Sequence, residues 1–187
     1  MKTLTKIPQL AGMLLLAVCI SLTAYPTPMS FKRTFELASG NFQVQHYDVA
    51  LPLLLELQQK QPANANISYM IGVCYLNLKQ EQFKAVPYLE AAVQNRCEEA
   101  HNVASYKEQH APDMSLFSLA QAYHYAGRFE EAISFYLDAS SACIKQKKGV
   151  VNRKLYNDIH RNIDDCKRQM QQLAEPVSET SDAVLYW

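Results

Sequence analysis

The sequence predicts an all-α protein: a solenoid of three helical hairpins in one register, closed by a long C-terminal capping helix. Three observations carry that expectation. Small residues recur at a fixed spacing along the chain, aromatic residues follow them at fixed offsets, and the stretch near 150–174 has one apolar and one charged face. The chain has 187 residues, 49% hydrophobic and 19% charged, a composition that belongs to one globular domain and not to a disordered one.

The third repeat shows the register best. Leu119-Ala120-Gln121-Ala122-Tyr123 is followed by Gly127-Arg128-Phe129, then by Ala132, Tyr136 and Ala139. The small residues at 120, 132 and 139 lie 12 and 7 apart, with a glycine between two helical patterns. Small side chains let the two helices of a hairpin approach closely, and the glycine turns the chain between them. The pattern resembles the tetratricopeptide repeat, whose period is about 34 residues. The same register recurs upstream. Gly72 and Tyr75 stand where Ala120 and Tyr123 do, and Phe83, Ala85, Tyr88 and Ala92 follow with one extra residue in the turn. Ala38 precedes Gly72 by 34, Ala50 follows Ala38 by 12, and Pro62 closes that repeat. Ala50-Leu51-Pro52 and Ala85-Val86-Pro87 correspond, 35 apart. A mild kink is expected there, because proline removes a helix hydrogen bond. The repeats are therefore 31–64, 65–97 and 111–145.

Gly72 and Ala120 are 48 apart, 14 more than one period. The excess, Glu98 to His110, has Ala100, Val103, Ala104 and Tyr106 in helical spacing and is expected to lengthen a helix or add a short one. Ala111-Pro112-Asp113 is expected to open the next helix, with proline in its first turn. Beyond Gly149, a helix stop, a capping helix is expected over 150–174. Tyr156, Ile159, Ile163, Cys166, Met170 and Leu173 form its apolar face, and Arg153, Lys154, Asp158, Arg161, Asp164, Asp165, Lys167 and Arg168 its charged one. A solenoid end needs such a lid, and three repeats are about the minimum for a stable stack. Residues 175–187 form a tail ending in the apolar Ala183-Val184-Leu185-Tyr186-Trp187. That end reads either as a frayed terminus or as a segment that docks on a neighbouring copy.

Residues 1–24 read as a signal peptide, followed by a linker over 25–30. Lys2 and Lys6 give a basic start, Leu10 to Ile20 is almost wholly apolar, and Ser21 and Thr23-Ala24 precede Pro26 and Pro28. The apolar run is shorter than the roughly 20 residues of a membrane span. Cleavage after Ala24, lipidation at Cys19 within Leu16-Ala17-Val18-Cys19, and an uncleaved anchor are the three fates this pattern allows. The protein is thus expected to be exported, to the periplasm or an outer membrane, with membrane association through its N-terminus. Losing residues 1–24 would leave 16 basic and 18 acidic residues, a balance that does not suggest nucleic acid.

A closer resemblance rests on three pieces. Asn66-Ile67-Ser68-Tyr69-Met70-Ile71-Gly72-Val73-Cys74-Tyr75-Leu76, Lys84-Ala85-Val86-Pro87-Tyr88-Leu89-Glu90, and Ala111-Pro112 leading to Ala122-Tyr123-His124 resemble the N-terminal repeat region of OmpA-family envelope proteins of Bacteroidota. Arg161 through Cys166 and Pro176-Val177 resemble the helix and exit that follow. The likeness spans roughly 31–177 and includes PorE-like members of the type IX secretion apparatus. It implies an envelope location and a scaffold role. In that family a β-propeller-like segment and a peptidoglycan-binding domain come next. The likeness stops before both, so peptidoglycan binding is not carried over.

The sequence nominates no catalytic, cofactor or metal site, and a non-enzyme is expected. His46, His101, His110, His124 and His160 form no HxxxH pair or ligand cluster, and nucleophile-elbow, P-loop, GxGxxG and HExxH patterns do not occur. Cys74, Cys97, Cys143 and Cys166 contain no CxxC pair; as exported residues they could oxidise, but Cys74 and Cys166 fall on apolar faces and read as small buried hydrophobes. Tyr75, Tyr88, Tyr123, Tyr136 and Tyr156 fall on core registers. Lys145, Lys147, Lys148, Arg153 and Lys154 surround Gly149 and read either as a solvated helix end or as a surface for acidic partners or headgroups.

The expected site is a partner-binding groove along the first helices of the repeats, lined by Ser39, Gln43, Asn66, Tyr69, Asn77, Gln121, His124 and Tyr125. Amides there would bind a partner's main chain and rings would pack on its side chains. His124 also fits a half-exposed surface histidine. Apart from Lys32 and Arg33 this face has no basic residue, which argues against a clamp for C-terminal carboxylates. The partners expected are envelope proteins, held by a scaffold or adaptor. The alternative is a self-associating structural component of an envelope oligomer.

Overall fold

The computed structural model describes residues 29–97, 102–145 and 152–175. The chain divides into a unit over 1–30, described only at Met29 and Ser30, and a helical unit from Phe31 onward. The expected signal peptide with Cys19 and Ala24, most of the linker, the turn at Gly149 and the tail beyond Glu175 lie outside the described residues.

The all-α class is borne out. The helices are α1 (Phe31–Gln43), α2 (Tyr47–Lys60), α3 (Ala65–Asn77), α4 (Ala85–Gln94, entered through a 3-10 turn at Gln82–Lys84), α5 (Met114–Tyr125), α6 (Phe129–Lys145) and α7 (Arg153–Ala174). Each packs on its neighbour in sequence, and α3 also packs on α5. Short connections enforce this order within the hairpins, because two helices joined by a few residues can bury their apolar stripes only against each other; α4 and α5 pack together although residues 95–113 separate them.

The recurring small residues mark the helix contacts. Ala38, Ala50, Ala85, Ala120 and Ala132 are fully buried. Gly72 is the tightest point: a Cβ there would overlap Leu89 Cγ on α4 and lie 2.7 Å from its Cδ2. Around these contacts Phe35, Leu54, Ile67, Met70, Leu89, Tyr136 and Ile159 are wholly buried. Full burial of such side chains stabilises a fold by about 1.5–3 kcal/mol each. Tyr75 stacks on Tyr88 at 5.6 Å, and Tyr123 meets Phe135 at 5.5 Å.

The three hairpin turns share one backbone feature. Gln45, Gln80 and Gly127 have φ of 63°, 68° and 73°. They follow Ala38, Gly72 and Ala120 by 7, 8 and 7 positions, so the register of the sequence is also a register of conformation. After α1 the Gln45 N–H donates to Phe42 O at 3.1 Å and the His46 N–H to Asn41 O at 2.9 Å. After α5 the Gly127 N–H donates to His124 O at 3.0 Å and the Arg128 N–H to Tyr123 O at 2.9 Å. Both are Schellman closures, which satisfy the orphan carbonyls of a helix end. The extra residue in the second turn replaces this closure with Leu78 N–H donating to Cys74 O and Tyr75 O, at 3.1 and 3.2 Å. It also places Phe83 in the 3-10 turn, where it is 58% exposed. A Cβ on Gly127 would meet nothing within 4 Å, so a side chain there costs only backbone strain. Gly127→Ala is expected to lower stability in urea unfolding by about 1 kcal/mol, while Gln45→Gly should not lower it. A neutral Gly127→Ala would show that this turn is not left-handed.

Three expectations are corrected. Residues 102–110 form two consecutive turns, not a helix. Local side chains compete for the backbone there: Ala104 N–H donates to Asn102 Oδ1 at 3.1 Å and Lys107 N–H to Ser105 Oγ at 3.4 Å. Ala111-Pro112 does not open a helix. It pairs in parallel with Arg96–Cys97, forming β2 (Ala111–Pro112) against β1 (Arg96–Cys97), and α5 begins at Met114. The residue before a proline is driven to extended backbone, and the Ala111 N–H is already spent on Asn95 O at 3.0 Å. The two corresponding prolines are also unequal. Pro52 falls inside α2, whereas Pro87 is in the first turn of α4, where a missing N–H costs least.

Candidate functional site

The eight groove residues all lie on α1, α3 and α5, the first helices of the three hairpins. Their environments fall into four groups. Ser39, Gln43 and Asn66 stand under or beside the segment 102–110. The Ser39 hydroxyl is buried and donates to Glu36 O at 3.3 Å. Gln43 is exposed and borders a gap of about 40 Å³ shared with Phe42, Met70, Val103 and Ala104. Asn66 is fully buried, and its Nδ2 donates to Val103 O at 3.0 Å.

Tyr69 belongs to the interior. Its side chain is 8% exposed, its hydroxyl bonds to Ser118 on α5, and burial pushes its pKa to about 12. His124 faces α7, where Gln169 Nε2 is at 3.0 Å and Asp165 Oδ2 at 3.3 Å. Its ring also stacks on Tyr125 at 6.2 Å and meets Phe129 edge-on at 5.7 Å. Burial lowers its pKa below the ordinary 6.5, and the Asp165 carboxylate pulls the other way. The folded protein thus favours neutral imidazole. That contribution to stability is complete above 6.5 and is lost as pH falls below it.

Asn77, Gln121 and Tyr125 make up the open remainder. Asn77 is exposed and ties its amide to Val73 O at 2.8 Å. Gln121 is half-buried, and Tyr125 is 60% exposed. Three of the eight expected groove residues are therefore at least partly open to solvent, and the others are covered or buried, Gln43 excepted.

The segment 102–110 was the residue set that sequence reasoning missed. Beyond its contact with Asn66, Glu108 O accepts from Asn64 Nδ2 at 3.3 Å, and Gln109 O accepts from the N–H groups of Ala65 and Asn66 at 2.9 and 3.3 Å. The Lys32 ammonium lies 5.4 Å from the centre of the Tyr106 ring. The only sequence signal was the excess length between two repeats, and nothing in its spacing says where such a segment returns.

No protein-family model matches the chain, and no curated protein is significantly similar to it. The site therefore has to be read from its own chemistry. Among the described residues no cluster of three or more His, Cys, Asp or Glu could hold a metal ion. Burial pushes the thiol of Cys74 to about 12 and that of Cys166 to about 11, so both are protonated and unreactive at neutral pH. Tyr123, whose burial and bond to Glu90 raise its pKa to about 12, donates to Glu90 Oε1 at 2.6 Å. Arg128 covers the Tyr123 ring at 4.2 Å and reaches Glu90 at 3.6 Å and Glu131 at 2.9 Å. This cluster ties α4, α5 and α6 together. No helix among the described residues is long and apolar enough to cross a membrane.

Proposed function

We propose that the chain is a tetratricopeptide-type solenoid that works as a non-catalytic scaffold of the bacterial cell envelope, holding a protein partner along its first-helix face. The observation that carries this reading is the recurrence of a left-handed residue, at Gln45, Gln80 and Gly127, seven or eight positions after Ala38, Gly72 and Ala120. Equivalent hairpins present equivalent faces, and a row of such faces suits a long protein segment better than a small molecule. The chemistry left open at Asn77, Gln121 and Tyr125 fits that use, with amides for main chain and a ring for an apolar side chain. The N-terminal signal pattern and the family resemblance support an envelope location.

Crosslinking in the native envelope followed by site-directed change tests the reading. Tyr125→Ala with Gln121→Ala should weaken capture of the crosslinked partner at least tenfold with helicity unchanged, because aromatic anchors often contribute about 2 kcal/mol or more. Arg161→Ala, on the exposed face of α7, should leave capture unaltered. The opposite pattern would place the partner on the outer surface. The self-associating alternative is supported by the apolar end Ala183-Val184-Leu185-Tyr186-Trp187 and by two large, apolar, exposed side chains, Leu37 on α1 and Val44 in the turn after it. Light scattering from a monomer at high concentration would exclude it.

A further inference from the structure

Residues 102–110 cross the face shared by α1 and α3 as a strap. Four hydrogen bonds over this boundary run the same way, from Asn64 Nδ2, Ala65 N, Asn66 N and Asn66 Nδ2 to the carbonyls of residues 103, 108 and 109. The face therefore reads main chain. Val103 and Ala104 sit against Ser39, Phe42, Gln43 and Met70, and about 40 Å³ beside them is left unfilled. None of the nine strap residues is fully buried. The strap also keeps turns of its own, with Ser105 N–H donating to Asn102 O and Glu108 N–H to Ser105 O, both at 3.0 Å. Lifting it breaks the boundary bonds and leaves those turns intact. Its base is held separately, through Ala111 N–H on Asn95 O and Arg96 on Asp113 at 3.4 Å.

We propose that the strap is an internal ligand, and that the α1–α3 face beneath it is a docking site for a short segment of a partner protein. That segment would carry the strap's features: a small aliphatic pair, an aromatic residue three positions after the first of them, and free main-chain carbonyls. The inference rests on the partner-holding reading above. Continuity supports it, because α3 carries both the covered Asn66 and the exposed Asn77, roughly 16 Å apart along the helix. A partner lying along α3 from Asn77 meets the strap at Asn66 and has to displace it. The competition is steep, since a short tether gives its occupant an effective concentration of about 1 mM.

The test uses the full chain and a labelled synthetic peptide of the strap sequence, Asn102 to His110. Val103→Asp with Tyr106→Ala unseats the tethered strap. Fluorescence anisotropy should show the peptide binding this variant at least tenfold tighter than the unaltered chain, and adding Asn66→Ala should abolish the gain. Equal binding by both chains, or binding by neither with helicity preserved, overturns the proposal. If the variant loses its helicity, hydrogen exchange on the unaltered chain decides. The Ala65 and Asn66 amides should exchange at least tenfold faster than that of Ile71, and excess peptide should change their rates; exchange at the Ile71 rate overturns the proposal. The two readings fail separately. Partner capture that depends on Tyr125 without peptide binding removes the internal ligand and leaves the scaffold, and peptide binding without partner capture does the reverse.

Discussion

Gly72→Ala is expected to destabilise the protein by about 1–3 kcal/mol, although the same change in an ordinary helix would stabilise it by about 0.5–1 kcal/mol. The sign is decided by Leu89. The added methyl would overlap its Cγ and lie 2.7 and 3.1 Å from its two terminal carbons. Leu89 is fully buried on α4 and has no solvent to swing into. Either α3 and α4 separate or Leu89 leaves its rotamer, and both cost packing. A double-mutant cycle makes the cause visible. Leu89→Ala alone should cost about 2–5 kcal/mol. Gly72→Ala placed on top of it should cost nothing further, because the colliding atoms are gone. Urea unfolding of the four proteins measures the coupling. Additive losses would mean that α3 and α4 do not meet at this point.

The second large effect is expected at Asn64. Its side chain does three things: Oδ1 accepts from the Ile67 N–H at 3.1 Å and caps α3, while Nδ2 donates to Gln61 Oε1 at 2.9 Å and to Glu108 O at 3.3 Å. It is 3% exposed, so little water can replace these bonds. Asn64→Ala removes the cap and leaves the Ile67 N–H buried without it, for a combined loss of about 2–3 kcal/mol. Asn64→Asp keeps the accepting oxygen and adds a charge that favours a helix N-terminus, but it loses both donated bonds. Its stability should fall between the other two, and its loss should appear mainly as faster exchange of the strap amides. If Asn64→Asp is as damaging as Asn64→Ala, the donated bonds and not the cap hold this corner.

The hairpin pairs were legible because packing leaves a trace in side-chain size. Ala38, Gly72, Ala120 and their partners at Ala50, Ala85 and Ala132 are small where helices touch, and at Gly72 even a Cβ would overlap Leu89. The turns were legible only in part. Gly127 announces a left-handed residue, whereas Gln45 and Gln80 adopt the same conformation without any side-chain preference for it. The surface was less legible still. Tyr69 reads from its register as a groove aromatic, but α5 closes over it and Ser118 takes its hydroxyl. His124 reads as a groove residue too, and meets Asp165 and Gln169 because the closing helix lies beside α5. Periodicity tells which face of a helix is apolar, and it does not say which distant segment comes to rest on a polar one.

The hydrogen bonds from α3 to the strap also set an order of events during synthesis. In a chain of simple hairpins each unit can settle as soon as its second helix leaves the ribosome, since its contacts are local. Here the Ala65 and Asn66 amides wait for Gln109, and Asn64 waits for Glu108, 44 positions later. At about 5–20 residues per second that is a delay of several seconds. Only for the last part of that interval, once Gln94 has been added, do α1 to α4 stand complete in sequence while the face shared by α1 and α3 is still uncovered. The contacts that cover this face are therefore among the last that α3 makes.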